Sequence, residues 1–368
     1  MLTKKANLFR VINNIYYKKD EPISLVHFIT NRCNARCSFC FIDFENSDSF
    51  KDELSLDEIN KLTKGLGKSL LNVNLTGGEP FARKDIIDVA KIYLKNTTVQ
   101  SLYITTNASL PDRIENFAKT INSIDHELDL NFQISIDDLP ENHDKVRKVE
   151  NLFDNCMDAY WRLKKLNLKN VNPVISITVS HENCDDIKNI FDYLISKCKI
   201  DSLKCTIVRD EGVYKTSIEK KKKIFESYTW LTNKIQEMTK EKKINNYNLE
   251  SIQGKIHNKK DKIAWKMIKE MYMEPKFISP CHAGSLFGII TSKGYVYPCE
   301  ILEETLLGNL RENDMDFMKI WKNNITKNTK KFIIKSKCNC TYECALSFNI
   351  LGNLRYHPQL IKAVFDRY

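Results

Sequence analysis

Twelve cysteines occur in this chain of 368 residues, and eight of them fall into two groups. Cys33, Cys37 and Cys40 share the stretch Thr30-Asn31-Arg32-Cys33-Asn34-Ala35-Arg36-Cys37-Ser38-Phe39-Cys40, a C-x3-C-x2-C spacing. Cys281, Cys299, Cys338, Cys340 and Cys344 form the second group. Clustered cysteines without an export signal argue for metal binding rather than disulfides. Three thiolates on one short loop can hold three corners of a cubane iron–sulfur cluster. The fourth iron is then left without a protein ligand, the open position a reactive metal centre needs. Zinc competes for the same residues, but it wants a fourth cysteine or histidine nearby and the local sequence has none. An electron-transfer cluster has four protein ligands, and buried structural cysteines fit poorly in so polar a loop. Cys156, Cys184, Cys198 and Cys205 stand singly among apolar residues and read as small buried hydrophobes.

The loop has to be held by something. Apolar runs of strand type cover Ser24–Thr30, Asn72–Thr76, Ser101–Thr105, Asn131–Ile136, Pro173–Val179 and Leu203–Val208. Between them, Leu56–Ser69, Asp85–Asn96, Pro111–Ser123, Asn151–Leu166 and Asp185–Lys197 carry helical periodicity. Ser55 and Glu58 make a capping box at the head of the first helix. Strands alternating with helices predict βαβ units and an α/β fold, a partial (β/α)6 barrel of parallel strands. In such barrels ligands lie at the C-terminal strand ends, where the cysteine loop falls. Residues 216–275 read as charged amphipathic helices that bridge to the C-terminal part of the chain. From 276 to 368 short β-like runs, Leu286–Thr291 and Gly294–Tyr297, lie among the cysteines and indicate a small C-terminal α+β iron–sulfur domain. The expected divisions are therefore 1–215, 216–275 and 276–368, with a helical tail from Ala345.

The first cysteine loop resembles the radical S-adenosylmethionine (radical SAM) superfamily, whose hallmark is C-x3-C-x-aromatic-C, with Phe39 at the aromatic position. Further motifs stand at successive strand ends. The second strand runs into Gly77-Gly78-Glu79-Pro80, and in that family this motif holds the amino group of the methionine moiety. Glycines there also allow a sharp turn and close backbone approach. The third strand ends in Thr105-Thr106-Asn107, which looks like the family's ribose-side motif. Ser135-Ile136-Asp137-Asp138, then His143-Asp144 and Arg147, looks like the segment in which a serine and an arginine meet the S-adenosylmethionine carboxylate, a charge-assisted contact. Asp138 stands where the family has glycine, so the loop after Asp137 is expected to differ. The fifth strand, ending at Val179 with Asn183 beyond it, is expected near the adenine. For Thr106, Asn107 and Asn183 a plain turn or capping role is the alternative.

The resemblance implies two cofactors at this loop, a [4Fe–4S] cluster on Cys33, Cys37 and Cys40 and S-adenosylmethionine chelated to its open iron. One electron from a flavodoxin or ferredoxin would then cleave the sulfonium bond to methionine and a 5′-deoxyadenosyl radical, which takes hydrogen from the substrate. The second cysteine group resembles the SPASM and Twitch auxiliary domains. With five cysteines rather than seven, one auxiliary [4Fe–4S] cluster is expected, on Cys281, Cys299 and Cys344 with Cys340 or Cys338 as the fourth ligand; a structural zinc remains the alternative. Glu300, directly after Cys299, is a candidate catalytic base. Dehydrogenation of a small hydroxylated molecule, such as a sugar or aminocyclitol, is the leading expectation. Peptide modification is the alternative, lowered by the 32 residues ahead of Cys33, too few for a leader-binding domain. A non-enzymatic iron–sulfur or zinc module is the third reading.

Composition sets the outer limits. Hydrophobic residues make up 42% and aromatics 10%, enough for a sizeable core. No run of about 18 apolar residues predicts a membrane span, and the N-terminus lacks a signal peptide, so a cytoplasmic location is expected. The net charge of +10 sits largely in lysine runs such as Lys220–Lys223 and Lys259–Lys260. With acidic residues interspersed and no nucleic-acid-binding motif, these read as solvated surface.

Overall fold

The structure is a computed structural model that describes residues 5–40, 42–209 and 216–366. The expected boundary after residue 215 falls within 210–215, outside the described residues. In chain order the elements are α1 (Leu8–Asn13), β1 (Ser24–Thr30), α2 (Leu56–Lys64), β2 (Asn72–Gly77), α3 (Ile86–Asn96), β3 (Ser101–Thr106), α4 (Pro111–Ile124) and β4 (Asp129–Ser135). There follow α5 (Pro140–Arg147), α6 (Leu152–Lys165), β5 (Val171–Val179), α7 (Ile187–Ser196), β6 (Leu203–Ile207), α8 (Ile218–Lys240) and α9 (Ile252–Tyr272). The C-terminal part holds β7 (Phe287–Ile290), β8 (Tyr295–Tyr297), β9 (Gly308–Asn309), α10 (Phe317–Trp321), α11 (Asn324–Lys335), α12 (Glu343–Leu351) and α13 (His357–Val364). Strand and helix alternate from β1 to β6, and the fold is α/β with parallel strands, as expected.

Two compact units divide the chain. The first comprises the chain up to Ile134 with Asp144–Pro173 and Ala283–Phe332. Within it β1 pairs in parallel with β2, β2 with β3 and β3 with β4. On its other side β1 pairs in parallel with β7, and β8 and β9 follow antiparallel. Gly288 on β7 is required by packing, because a Cβ there would stand 2.6 Å from the Trp321 ring. Side-chain alternation gives the sheet two different faces. Val73, Leu75, Leu102, Ile104, Leu130 and Phe132 are fully buried, and Phe132 stacks edge-on against Phe117 of α4. The opposite face of the same strands carries Asn72, Asn74, Thr76, Ser101, Tyr103, Thr105, Asp129, Asn131 and Gln133, all half-buried and none aliphatic.

The second unit comprises Ser135–His143, Val174–His282 and the chain from Ile333. In it β5 and β6 pair in parallel, and α8 packs on β6 while α12 and α13 pack on α9. The lysine-rich stretch is only partly the solvated surface expected. Lys220 and Lys223 do reach out to exposed Asp185, but Lys260 is mostly buried, 3.0 Å from Asp261. Burial opposes ionisation of Asp261, yet Lys260 and Lys204 hold its carboxyl well below the usual range. Among the described residues, no helix is long and apolar enough to cross a membrane.

Candidate active site

The cysteine loop leaves the C-terminal end of β1, and its first turn is clamped. Glu53 accepts from Thr30 Oγ1 (2.6 Å) and the Asn31 amide (3.0 Å). Buried Arg83 donates to the carbonyls of Ile29 (2.7 Å) and Leu54 (2.8 Å) and pairs with Asp85. Cys33, Cys37 and Cys40 are all half-buried on this loop. Burial pushes the Cys33 thiol up to about 11, although the Ala35 N–H at 3.3 Å pulls the other way.

The glycines of the second motif are there for backbone contact. The amides of Gly78 and Glu79 donate to the carbonyls of Thr30 and Arg32, both at 2.8 Å. Gly77 has a φ of +138°, and a Cβ on it would lie 1.9 Å from Thr30 O; one on Gly78 would lie 2.3 Å from Arg32 O. No side chain fits at either position. Glu79 is fully buried and turns the other way. It accepts from the amides of Phe81 (3.0 Å) and Asn107 (2.7 Å) and from Thr106 Oγ1 (2.8 Å), while Pro80 starts a short turn behind it. Burial raises the Glu79 carboxyl, and these three donors and the charge of Arg147 oppose the rise. Arg147 is buried, its carbonyl accepts from the Arg36 amide (2.9 Å), and its guanidinium lies 5.8 Å from the Phe39 ring centre. The first unit thus brings together the three cysteines, Phe39, the glycine motif, Thr106, Asn107 and Arg147.

Cys156 had no expected role beyond filling space. Its buried thiol donates to the carbonyl of Asn107 at 3.1 Å. The signal was the helical phase of α6, which puts Cys156 on its buried face.

The second unit holds Ser135, Asp137 and Val179. Asp137 Oδ1 accepts from the Thr178 amide (2.8 Å), its own amide donates to His143 Nδ1 (3.2 Å), and Asn183 Nδ2 donates to its carbonyl (2.7 Å). Asn183 also donates to Thr178 O (2.9 Å) and accepts from the Ser180 amide (2.9 Å), so it locks one strand end to the other. Val179 is fully buried and Ser135 half-buried. Asp138 accepts from the Leu139 amide at 2.7 Å, and burial raises its carboxyl.

Of the second cysteine group, Cys281, Cys338 and Cys340 line one cleft of this unit with Met267, Met271 and Leu346. A hydrogen bond from Cys281 lowers the Cys338 thiol to about 7. Asn349 of α12 accepts the His282 amide at 2.8 Å and fixes the backbone beside Cys281. Cys344 lies at the start of α12 in this same unit; Cys299 and half-buried Glu300 follow β8 in the first unit. Among the described residues no three Cys, His, Asp or Glu side chains gather as tightly as a single metal ion requires. The donor chemistry fits iron–sulfur clusters in both places: thiols on one loop against the buried Glu79 platform, and thiols around an apolar-walled cleft.

Cysteines on a strand-end loop of a parallel α/β sheet, beside a buried carboxylate and arginine, are the donor set that an iron–sulfur enzyme of the radical class would use. The comparisons agree. The Radical SAM superfamily matches residues 28–194, and an iron–sulfur cluster-binding domain, SPASM, matches residues 281–345. The chain belongs to the radical SAM superfamily and carries a SPASM-type auxiliary domain, so its cofactors are S-adenosylmethionine, a [4Fe–4S] cluster and auxiliary iron–sulfur. Among curated relatives, sporulation killing factor maturation protein SkfB of Bacillus subtilis (strain 168) is 25% identical over 80% of this chain and 64% of its own length. Fe-coproporphyrin III synthase of Methanosarcina barkeri (strain Fusaro / DSM 804) is 30% identical over 49% of this chain and 43% of its own. The chain thus spans less than two thirds of these relatives' length. The solved structure of native anSMEcpe with bound AdoMet has a TM-score of 0.60, 16% identity and coverage of 94% of this chain and 100% of that one. Streptococcus suis SuiB bound to precursor peptide SuiA has a TM-score of 0.55, 18% identity and coverage of 85% and 67%.

Proposed function

We propose that this radical SAM enzyme matures a peptide. The observation that carries this reading is the relationship to the maturation protein SkfB, which runs through 80% of the chain, whereas the coproporphyrin synthase relationship covers 49%. The fold is also shared with SuiB, whose structure holds a precursor peptide. The first unit supplies a matching surface. Parallel sheets normally bury both faces, yet here one face is a half-open field of amides and hydroxyls. Asn131 Nδ2 donates to Ser101 Oγ (3.0 Å) and Thr105 Oγ1 to Gln133 Oε1 (3.3 Å), while Asn74 Oδ1 is buried without a protein partner. Such groups suit the amides of a peptide. The leading expectation, oxidation of a small hydroxylated molecule, draws on the same polar face.

Cys33, Cys37 and Cys40 would hold the cluster that carries S-adenosylmethionine. Bound there, the pair would supply a 5′-deoxyadenosyl radical for hydrogen abstraction. The chain's own part is placement. Glu79 holds Thr106 and Asn107 in position, and Arg147 brings a buried positive charge suited to the cofactor carboxylate. The auxiliary cluster would draw its ligands from the second cysteine group, of which Cys281, Cys344 and Cys338 or Cys340 lie in the second unit. Glu300 would act as the base that takes a substrate proton.

The test pairs two substrate classes. Anaerobically reconstituted protein is given S-adenosylmethionine, dithionite and either synthetic cysteine-containing peptides or a panel of aminocyclitols and sugars. Peptide-dependent 5′-deoxyadenosine with a matching loss of peptide hydrogen mass supports the proposal. Turnover only with the small molecules returns the reading to dehydrogenation. Glu300→Gln should then still cleave S-adenosylmethionine but lose product; unchanged product removes Glu300 as the base.

A further inference from the structure

Asn107 lies where the resemblance puts a ribose contact, but its side chain is already engaged. Its Oδ1 accepts from the Ser109 amide at 3.0 Å. Its Nδ2 donates to Asn34 Oδ1 at 2.9 Å and to Cys33 Sγ at 3.7 Å. Ser109 Oγ also donates to Asn34 Oδ1, at 3.2 Å. The orientation of the amide is therefore decided. Flipping it would set NH2 against the Ser109 N–H and oxygen against the Asn34 oxygen, breaking both bonds at once. The backbone is held as firmly, with the Asn107 amide on Glu79 Oε2 (2.7 Å) and its carbonyl taking the Cys156 thiol (3.1 Å). Asn107 is only 5% exposed. Cys33 Sγ therefore faces two N–H donors, the Ala35 amide at 3.3 Å and Asn107.

We infer that Asn107 is a positioning residue that sets the reduction potential of the cluster held by Cys33, through its N–H···S bond. This rests on the assignment of Cys33 as a ligand. The physical basis is that hydrogen bonds to cluster sulfurs, with burial and charge, set such potentials. One electron from a low-potential donor adds charge to the sulfur, so the N–H bond is stronger in the reduced state and raises the potential. Asn34 works against this, because its oxygen shares the same amino group and adds a negative dipole beside Cys33.

The experiment is an EPR-monitored redox titration of the full reconstituted chain, with dithionite as reductant. The signal that changes on adding S-adenosylmethionine is followed, which separates it from the auxiliary cluster. Asn107→Leu, nearly isosteric but without a donor, should lower the reduced-to-oxidised ratio at fixed poise by about threefold, equivalent to about 30 mV at 59 mV per decade. Asn107→Asp, which puts an oxygen where the donor was, should lower it further. Asn34→Ala, at an exposed position, should shift the midpoint upward, and it keeps the test decisive if the Asn107 variants do not retain iron. Unchanged midpoints in iron-loaded Asn107 variants overturn the inference, as does a downward or absent shift in Asn34→Ala. Weakened S-adenosylmethionine binding at an unchanged midpoint would show that Asn107 serves the cofactor instead of the sulfur. Loss of the Cys33 ligand assignment itself would appear separately, as full iron content in Cys33→Ala.

Discussion

Glu79 shows how much one buried carboxylate can organise. Its two oxygens take three donors from two different motifs, so the glycine turn and the third strand end share one anchor. In Glu79→Gln an NH2 must face at least one of those donors. We expect a loss of about 2–3 kcal/mol in folding stability, measured by denaturant unfolding under anaerobic conditions. His27 is a second buried group with a solution consequence. Burial, with the charge of Arg83, lowers its imidazole to about 3, and while Nδ1 meets Tyr93 Oη at 2.8 Å, Nε2 has no protein partner. The ring stays neutral in the folded chain while an unfolded histidine protonates near 6.5. Stability should therefore fall as pH drops below 6.5 and go on falling toward 3, by about 2 kcal/mol between pH 7 and pH 5. In His27→Leu that acid slope should flatten; an identical slope in both proteins would assign the loss to other groups. The motif residues were legible in the sequence because their types and spacing are unusual. The partners of Asn107 and the use of Cys156 were not, since helical phase marks Cys156 as buried but names no acceptor for its thiol.

At the scale of elements, the strands were readable because each is a β-type run of five residues or more bounded by polar turns, alternating in β2, β3 and β4 and almost wholly buried in β1. All six lie within two residues of expectation at both ends, and β1 matches as Ser24–Thr30. Two helices depart further, each for a physical reason. Periodicity extended α2 to Ser69, but it stops at Lys64, where Gly65 is the cap and Gly67 takes a φ of +80°. Helix α5, PENHDKVR, has one aliphatic residue and no periodicity to detect. The junction of β2 with the cysteine loop is the least forgiving in the first unit. Gly77→Ala puts a methyl group into a main-chain carbonyl that has nowhere to move, a cost of about 4 kcal/mol or more. Iron retention at the first cluster should be lost, as read by iron and sulfide analysis beside wild type.

For the whole molecule, the class of enzyme was legible and the substrate was not. The motif residues sit on strand ends in a fixed order and have recognisable types, whereas the polar side chains on the open face of the sheet follow no motif. The C-terminal segment also does more than carry cysteines. Leu25 and Ile29 are fully buried on β1, whose second edge is covered by β7. A chain ending at residue 275 would leave that edge bare, and exposed hydrophobic edges template aggregation. We expect such a truncation to aggregate and to hold no cluster, by size-exclusion chromatography and iron analysis; a monomer with about four irons would contradict this. The same pairing has a consequence during synthesis. About 260 residues separate β1 from β7, so at about 5–20 residues per second the ribosome needs about 13–50 s to deliver the second neighbour of the first strand. Throughout that interval the first strand of the nascent chain lacks one of its two neighbours, beside the loop that carries Cys33, Cys37 and Cys40.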